Sequence, residues 1–294
     1  MSRTKPHAPT RSIRHPGPPQ AKRIASVEAN ACPLTLKLKR GLSMNEAVTR
    51  AFRDHGFQGG YARLEGLALD PLHYVLPAPS PDESHAAWYS ETQTPAGPAT
   101  VERADIIAGL RDGAPFIHCH GLWRLADGTL RMGHLLPFET MLAEDAQASA
   151  IGVANAVFDA ADDKETHFKL FAPRPHRVTG EPAGERGFIC AMRPNEDITT
   201  AIETACRRHG LPEASVHGIG SLVGAAFLDG RTVESYATEV LVRTGAVTAS
   251  ADGPQCSLDI ALVDMDGKIT EGRLVRGANP VCVTFEVAVI PAAS

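Results

Sequence analysis

Aromatic side chains make up only 5% of the 294 residues, and basic residues do not alternate with them on any strand-like segment. That excludes the stacking platforms on which single-stranded nucleic acids are held. Positive charge is not in excess either: Lys+Arg is 29 against Asp+Glu 34, a formal net charge of -5, which makes a poor general binder of a polyanion such as DNA. No uncharged run approaches the roughly 20 residues of a membrane-spanning helix, and the N-terminus lacks the apolar core of a secretory signal. The six cysteines, Cys32, Cys119, Cys190, Cys206, Cys256 and Cys282, lie far apart and form no CxxC pair. A reduced chain in the cytoplasm fits this better than a disulfide framework. A phosphate-binding loop and a His-Glu-x-x-His helix are missing too. The run Gly218-Ile219-Gly220-Ser221-Leu222-Val223-Gly224 is one residue too long for a dinucleotide fingerprint and follows a helix and strand in the wrong order. What is there is 43% hydrophobic and 21% charged, enough apolar material for a sizeable core.

Composition divides the chain into four segments. Residues 1–23 carry Arg3, Lys5, Arg11, Arg14, Lys22 and Arg23 with five prolines and no acid, and read as an extended basic arm. The arm is either a solvated tail or a docking segment whose Arg14-His15-Pro16-Gly17 meets a neighbouring subunit or an anion. Residues 172–187 are rich in Pro and Gly without apolar periodicity and read as a linker. It separates a first domain, 24–171, from a second, 188–294.

The two domains repeat one another. In the first, Leu34-Thr35-Leu36-Lys37 alternates as a strand, Ser43 and Glu46 form a capping box, and Ala47, Val48, Ala51 and Phe52 make the stripe of a helix that Gly56 closes. In the second, a strand from Phe188 precedes Asn195 as N-cap, and Ile198, Ala201, Ile202 and Ala205 make the stripe that ends at His209-Gly210. His55-Gly56 recurs as His209-Gly210 and Gly66 as Gly220, each 154 positions on. Hairpins then follow at 116–136 and 256–275, with Asp127-Gly128 matching Asp266-Gly267. The first copy holds 15 more residues between helix and hairpin, within 70–115, where a Pro-rich stretch and a short helix near 101–110 are expected. Insertions of this kind shape sites or interfaces.

Chemistry is concentrated in the first hairpin. His118 and His120 share a strand face. A three-residue loop, Ala126-Asp127-Gly128, with Gly128 left-handed as a G1 bulge, pairs His120 with His134. Opposed residues sit about 4.5–5.5 Å apart at Cβ, which suits two ligands of one ion. Three neutral imidazoles suit zinc, or iron, nickel or manganese, and leave a fourth position open for a water that ionises near neutral pH. The plainer alternative is a histidine cluster without metal. Cys119 points the other way, into the core. The positions matching the three histidines in the second copy are Ser257, Asp259 and Arg273, so an ion pair between Asp259 and Arg273 replaces the metal-binding pair there. Arg273 also stands as a clamp for a substrate carboxylate. Glu65, opposite an apolar Ile219 in the repeat, is the general acid–base candidate or a fourth ligand, with an ion pair to Arg63 as the plainer role. Glu139 and His167 are further residues able to approach the ion, and His73 and His85 sit in the insertion.

His118-Cys119-His120-Gly121 through Asp127-Gly128 to Gly133-His134-Leu135 resembles the His-x-His, Asp-Gly, Gly-His-Leu signature of the PPC (plant and prokaryote conserved) domain. The stretch from Met192 to Phe227 is similar to the opening of the same domain. The resemblance covers roughly 30–171 and 188–290, so a tandem member is expected whose second copy lacks the histidines. It implies an α/β fold of the α+β type: two repeated units, each a mostly antiparallel twisted sheet flanked by helices. It also implies trimers with the histidine site near a subunit boundary. In plants the domain accompanies an Arg-Gly-Arg-Pro DNA-binding core, from which Arg11-Ser12-Ile13-Arg14-His15-Pro16 departs.

Two functions follow. In one, the chain is a metal-dependent hydrolase, lyase or isomerase of a small anionic molecule. His118, His120 and His134 hold zinc, Glu65 moves protons, and Arg63, Arg14, His15 and Arg273 hold the anion. In the other, it is a DNA-associated regulatory or architectural protein, whose oligomeric core displays basic arms.

Overall fold

The computed structural model describes residues 11–176 and 184–292. The first half runs β1 (Ile24–Leu38), α1 (Met44–Asp54) and β2 (Gly60–Leu64), then four two-residue strands, β3 (Ala68–Leu69), β4 (Tyr74–Val75), β5 (Pro77–Ala78) and β6 (Trp88–Tyr89). β7 (Ala99–Arg111), β8 (Ala114–Arg124), β9 (Leu130–Leu135), β10 (Ala146–Ala154), β11 (Ala156–Asp162) and β12 (Lys169–Pro175) follow. The second half runs β13 (Glu185–Met192), α2 (Ile198–His209), β14 (Ala214–Leu222), β15 (Ala225–Ala226), β16 (Thr232–Val233), β17 (Thr238–Thr248), β18 (Gln255–Asp264), β19 (Ile269–Arg273) and β20 (Val281–Pro291).

One sheet of sixteen strands holds both halves, in the order β19-β18-β17-β14-β20-β13-β1-β10-β2-β7-β8-β9-β4 along its main path. Pairing is antiparallel throughout except where β11 meets β7. Outward from the central β13–β1 pair, each half lays down its strands in the same order relative to its own helix. The architecture is thus mostly antiparallel sheet with two helices among the described residues, more strand-rich than the helix-flanked units expected.

Both helices form where the stripes placed them. Ser43 Oγ accepts the Glu46 N–H at 3.2 Å, satisfying a donor left open at the first turn of α1. In α2 the cap is Asp197, not Asn195: Asp197 Oδ1 accepts the Thr200 N–H at 2.9 Å. Asn195 adopts φ 67° and its Oδ1 takes the Ile13 N–H instead. Gly210, with φ 63°, closes α2 in the left-handed conformation glycine tolerates best.

Each helix packs its apolar stripe on the outer face of its own half. Met44, Val48 and Phe52 join Leu36, Ile106 and Trp123; Ile198, Ile202 and Cys206 join Phe188, Val240 and Leu258. A third cluster takes residues from both halves, among them Ile107, Leu122, Ile151, Ile219, Leu241 and Val263. The sheet faces opposite the helices therefore pack on each other, β7, β8 and β9 against β14, β17 and β18. The histidine hairpin lies at this seam.

Three expectations are corrected. Residues 101–110 are strand: Val101, Ile106 and Ile107 are β-branched, and both faces of β7 are largely covered, between β2 and β8. The linker expected over 172–187 is strand at both ends, with Ala172–Pro175 completing β12 and Glu185–Gly187 opening β13; residues 177–183 lie outside the described residues. The arm, described from residue 11, lies on its own chain. Arg11 donates to the Val233 and Ala278 carbonyls, the Gln20 N–H reaches Glu165, and Arg23 pairs with Glu165 at 2.6 Å. Its residues 1–10 lie outside the described residues.

A three-histidine site at the seam of the two halves

The β8–β9 loop is the three-residue, bulged one. Leu125 N–H donates to the Thr129 carbonyl at 2.9 Å, and Gly128 takes φ 84°. That register sets His120 opposite His134. Gly133, just before the third histidine, allows the close approach of β4: a Cβ there would lie 2.5 Å from the Val75 carbonyl oxygen.

The three imidazoles converge. His118 Nε2 lies 3.0 Å from His120 Nε2, which lies 3.3 Å from His134 Nδ1, and the three nitrogens fall within 4.8 Å of one another. The second half completes the surroundings. Glu286 on β20 accepts from His118 Nδ1 at 3.0 Å, and the Val240 carbonyl on β17 accepts from His120 Nδ1 at 2.9 Å. Both rings thereby turn Nε2 toward the centre. Glu239 Oε2 stands 2.8 Å from His120 Nε2. Glu286 is itself held by the Thr284 hydroxyl at 3.1 Å.

Electrostatics splits the facing pair. Burial works against a charged His120, but Glu239, the Val240 carbonyl and Glu286 outweigh it and raise its pKa above the ordinary value. His134, partly buried and beside two other imidazoles with no carboxylate of its own, is held well below it by desolvation and by those rings. Cys119 is buried in the core behind the strand, and burial pushes its thiol pKa up.

The histidines form the floor of a cavity of about 460 Å³. Tyr89 stands with its ring centroid 5.1 Å from that of His134, and burial raises its hydroxyl pKa. The insertion thus contributes a wall of the site. Glu139, His167 and His85 also line the cavity, whereas His73 bonds the Thr94 hydroxyl at 3.1 Å away from it.

The other sequence candidates are not brought here. Glu65 is exposed beyond the end of β2, outside the cavity lining. Arg63 faces Asp105, with 3.7 Å between Nε and Oδ1, in a seam network where Arg103 also grips Asp105 at 2.9 Å. Arg14 is exposed on the arm. His15 is buried with Nε2 2.8 Å from the Cys282 carbonyl oxygen, and that burial lowers its pKa, so it anchors the arm. Arg273 sits opposite Asp259 in register but is exposed; the cation nearest Asp259 is Arg243, at 3.5 Å. Glu239 and Glu286 were missed. Their signal was readable: each is a lone carboxylate in an apolar run, Thr238-Glu239-Val240-Leu241-Val242 and Phe285-Glu286-Val287-Ala288.

All six cysteines are free, and among the described residues no helix is long and apolar enough to cross a membrane. No curated protein matches the sequence. A plant- and prokaryote-conserved (PPC) protein of Pyrococcus horikoshii is similar at 14% identity, over 52% of this chain and 97% of that one, with a TM-score of 0.40. A metal-containing protein of Archaeoglobus fulgidus is similar at 16% identity over 48% and 92%, with a TM-score of 0.38. A Ralstonia eutropha JMP134 protein provisionally described as DNA-binding is similar at 15% over 50% and 90%, with a TM-score of 0.34. The Plants and Prokaryotes Conserved (PCC) family model matches residues 179–293, the half without the three histidines.

Proposed function

We propose that the protein is a metal-dependent enzyme for a small anionic molecule, with zinc or another divalent transition ion held by His118, His120 and His134. The observation that supports this best is the convergence of three imidazole nitrogens within 4.8 Å on the floor of a cavity. The donor set fits such an ion. The 3.0 and 3.3 Å separations are near the edge of a tetrahedron whose ligands stand about 2.0–2.1 Å from the centre. Carboxylate and carbonyl acceptors behind two of the rings are the usual supports of metal-bound imidazoles. When bound, the ion supplies Lewis-acid polarisation of a substrate oxygen.

The chain's own groups do the rest. Glu239, rather than Glu65, is the group able to hold or move a proton next to the ligand sphere. Glu286 keeps His118 oriented. Reaction types compatible with these parts are hydrolysis, lyase elimination and isomerisation. We further propose that the halves are two PPC-like units in tandem, since their strand orders correspond, and that the chain assembles into a homo-oligomer, a trimer by the family resemblance. The DNA-associated reading is less well supported, because Arg11 and Arg23 of the arm are committed to the chain's own carbonyls and carboxylates.

Metal analysis of purified wild type and His118→Ala tests the proposal. About one ion per chain in wild type, lost in a variant of unchanged circular dichroism, is expected. No ion after supply of zinc, or equal metal in both, overturns it. Salt-dependent retention on DNA that disappears when residues 1–23 are deleted would favour the second reading.

A further inference from the structure

The chain has few aromatic residues, two Trp, four Tyr and ten Phe, and six of them line this one cavity: Trp88, Tyr89, Phe116, Phe138, Phe168 and Phe171. They form two walls. On one, Trp88 stacks on Phe168 with centroids 5.3 Å apart and planes at 26°, and Tyr89 continues the wall down to His134. On the other, Phe116 meets Phe138 and Phe171, each at 5.9 Å. Phe138 is 62% exposed and Trp88 37% exposed, so large apolar faces stay open to water at this cavity. Arg111 adds a charge. Its guanidinium lies over the Phe116 ring, 5.0 Å from the centroid, and among the described residues it joins no salt bridge. The neighbouring Lys169, by contrast, is tied to Asp112 at 2.5 Å.

We propose that the cavity binds a planar aromatic carboxylate. The ring lies between the two walls, where face and edge contacts with aromatic side chains favour an aromatic ring over a saturated one of equal size. The carboxylate pairs with Arg111, whose planar fork matches it in two hydrogen bonds. The opposite edge of the ring faces the three histidines. Only that last placement rests on the metal-site reading; the ring and carboxylate contacts stand without it.

The experiment is a titration of the full chain with benzoate, cyclohexanecarboxylate and toluene, followed by calorimetry and by tryptophan fluorescence. Trp88 lines the cavity, while Trp123, the other tryptophan, is fully buried in the core. Saturable quenching by benzoate is expected, lost in Trp88→Phe, with cyclohexanecarboxylate and toluene each at least about tenfold weaker. Arg111→Ala should weaken benzoate at least about tenfold, and Arg111→Lys should restore part of it. No saturable benzoate binding, equal binding of benzoate and cyclohexanecarboxylate, or an Arg111→Ala variant that binds as wild type each overturns the proposal. Metal content is measured on the same samples. Benzoate binding in protein that takes up no metal sinks the metal reading alone; full metal with no benzoate binding sinks this one alone.

Discussion

The hairpin of β8 and β9 and that of β18 and β19 are built alike. Each turns through three residues ending in a left-handed glycine, Gly128 at φ 84° and Gly267 at φ 76°. Each is closed by the same backbone bond, Leu125 to Thr129 and Asp264 to Lys268. Their registers correspond, so that His120 opposite His134 is matched by Asp259 opposite Arg273. The surroundings differ. Glu239 and Glu286 face the first pair, while Arg243 stands beside Asp259 and Glu271 in the second. Backbone register fixes which residues meet; the charges set around them, carboxylates from the other half at the first hairpin and Arg243 of the adjoining strand at the second, decide whether a cation is welcome there.

The severest way to break this contrast is to put the second pair into the first hairpin. His120→Asp combined with His134→Arg leaves the register intact but removes two of three ligands, and bound metal should fall from about one per chain to below a tenth by elemental analysis. Retained metal would remove the basis of the contrast. The reverse transplant, Ser257→His with Asp259→His and Arg273→His, supplies three imidazoles without the facing carboxylates. Its second equivalent of zinc should bind at least about a hundredfold more weakly than the first, in a chelator competition. A smaller effect is expected of Glu286→Gln. The ligands remain, but the carboxylate behind His118 is neutralised, and supports of this kind are worth about 10–100-fold in metal affinity.

Protonation sharpens the comparison further. In metal-free protein His120 titrates above the ordinary 6.5 and His134 well below it. The His120–Glu239 contact, with a raised folded pKa, contributes stability fully present below pH about 6.5 and lost as pH rises through that raised value. His134 acts in the opposite sense: its neutral ring fits the buried site, so its cost appears as pH falls below about 6.5. Nitrogen-15 NMR of the ring signals should show the two residues separating, with His120 moved down by Glu239→Gln. Coincident titration of the two would contradict the charge arrangement.

Most of this hairpin chemistry was legible because it is local. Asp-Gly before an alternating strand specifies the bulged turn, and a period of two then pairs His120 with His134 without knowledge of the rest. Helix caps were nearly as local, with Asp197 replacing Asn195 by two positions. What failed depends on contacts distant in sequence. Residues 101–110 carry no helical stripe to be trusted, and their fate as strand β7 is set by burial between β2 and β8. Glu239 and Glu286 lie over a hundred positions from His118 and became site residues only when the two halves closed face to face. Glu65 attracted attention as a charge in an apolar position of the repeat, but the strand ends at Leu64 and leaves it in water.

The smallest expected effect separates register from function. Arg273 occupies the place of a metal ligand in the second hairpin, yet its side chain is exposed, and Asp259 has Arg243 beside it. Exposed ion pairs are worth about 0–1 kcal/mol at most, so Arg273→Ala should change denaturant stability by less than about 0.5 kcal/mol and leave metal content and benzoate binding unchanged. Arg243→Ala, which removes the cation bridging Asp259 and Glu271, should cost more than Arg273→Ala although it faces no histidine counterpart. The reverse ranking would mean that the cross-strand pair is the working ion pair after all, and that the second hairpin preserves the geometry of the first more closely than its side chains indicate.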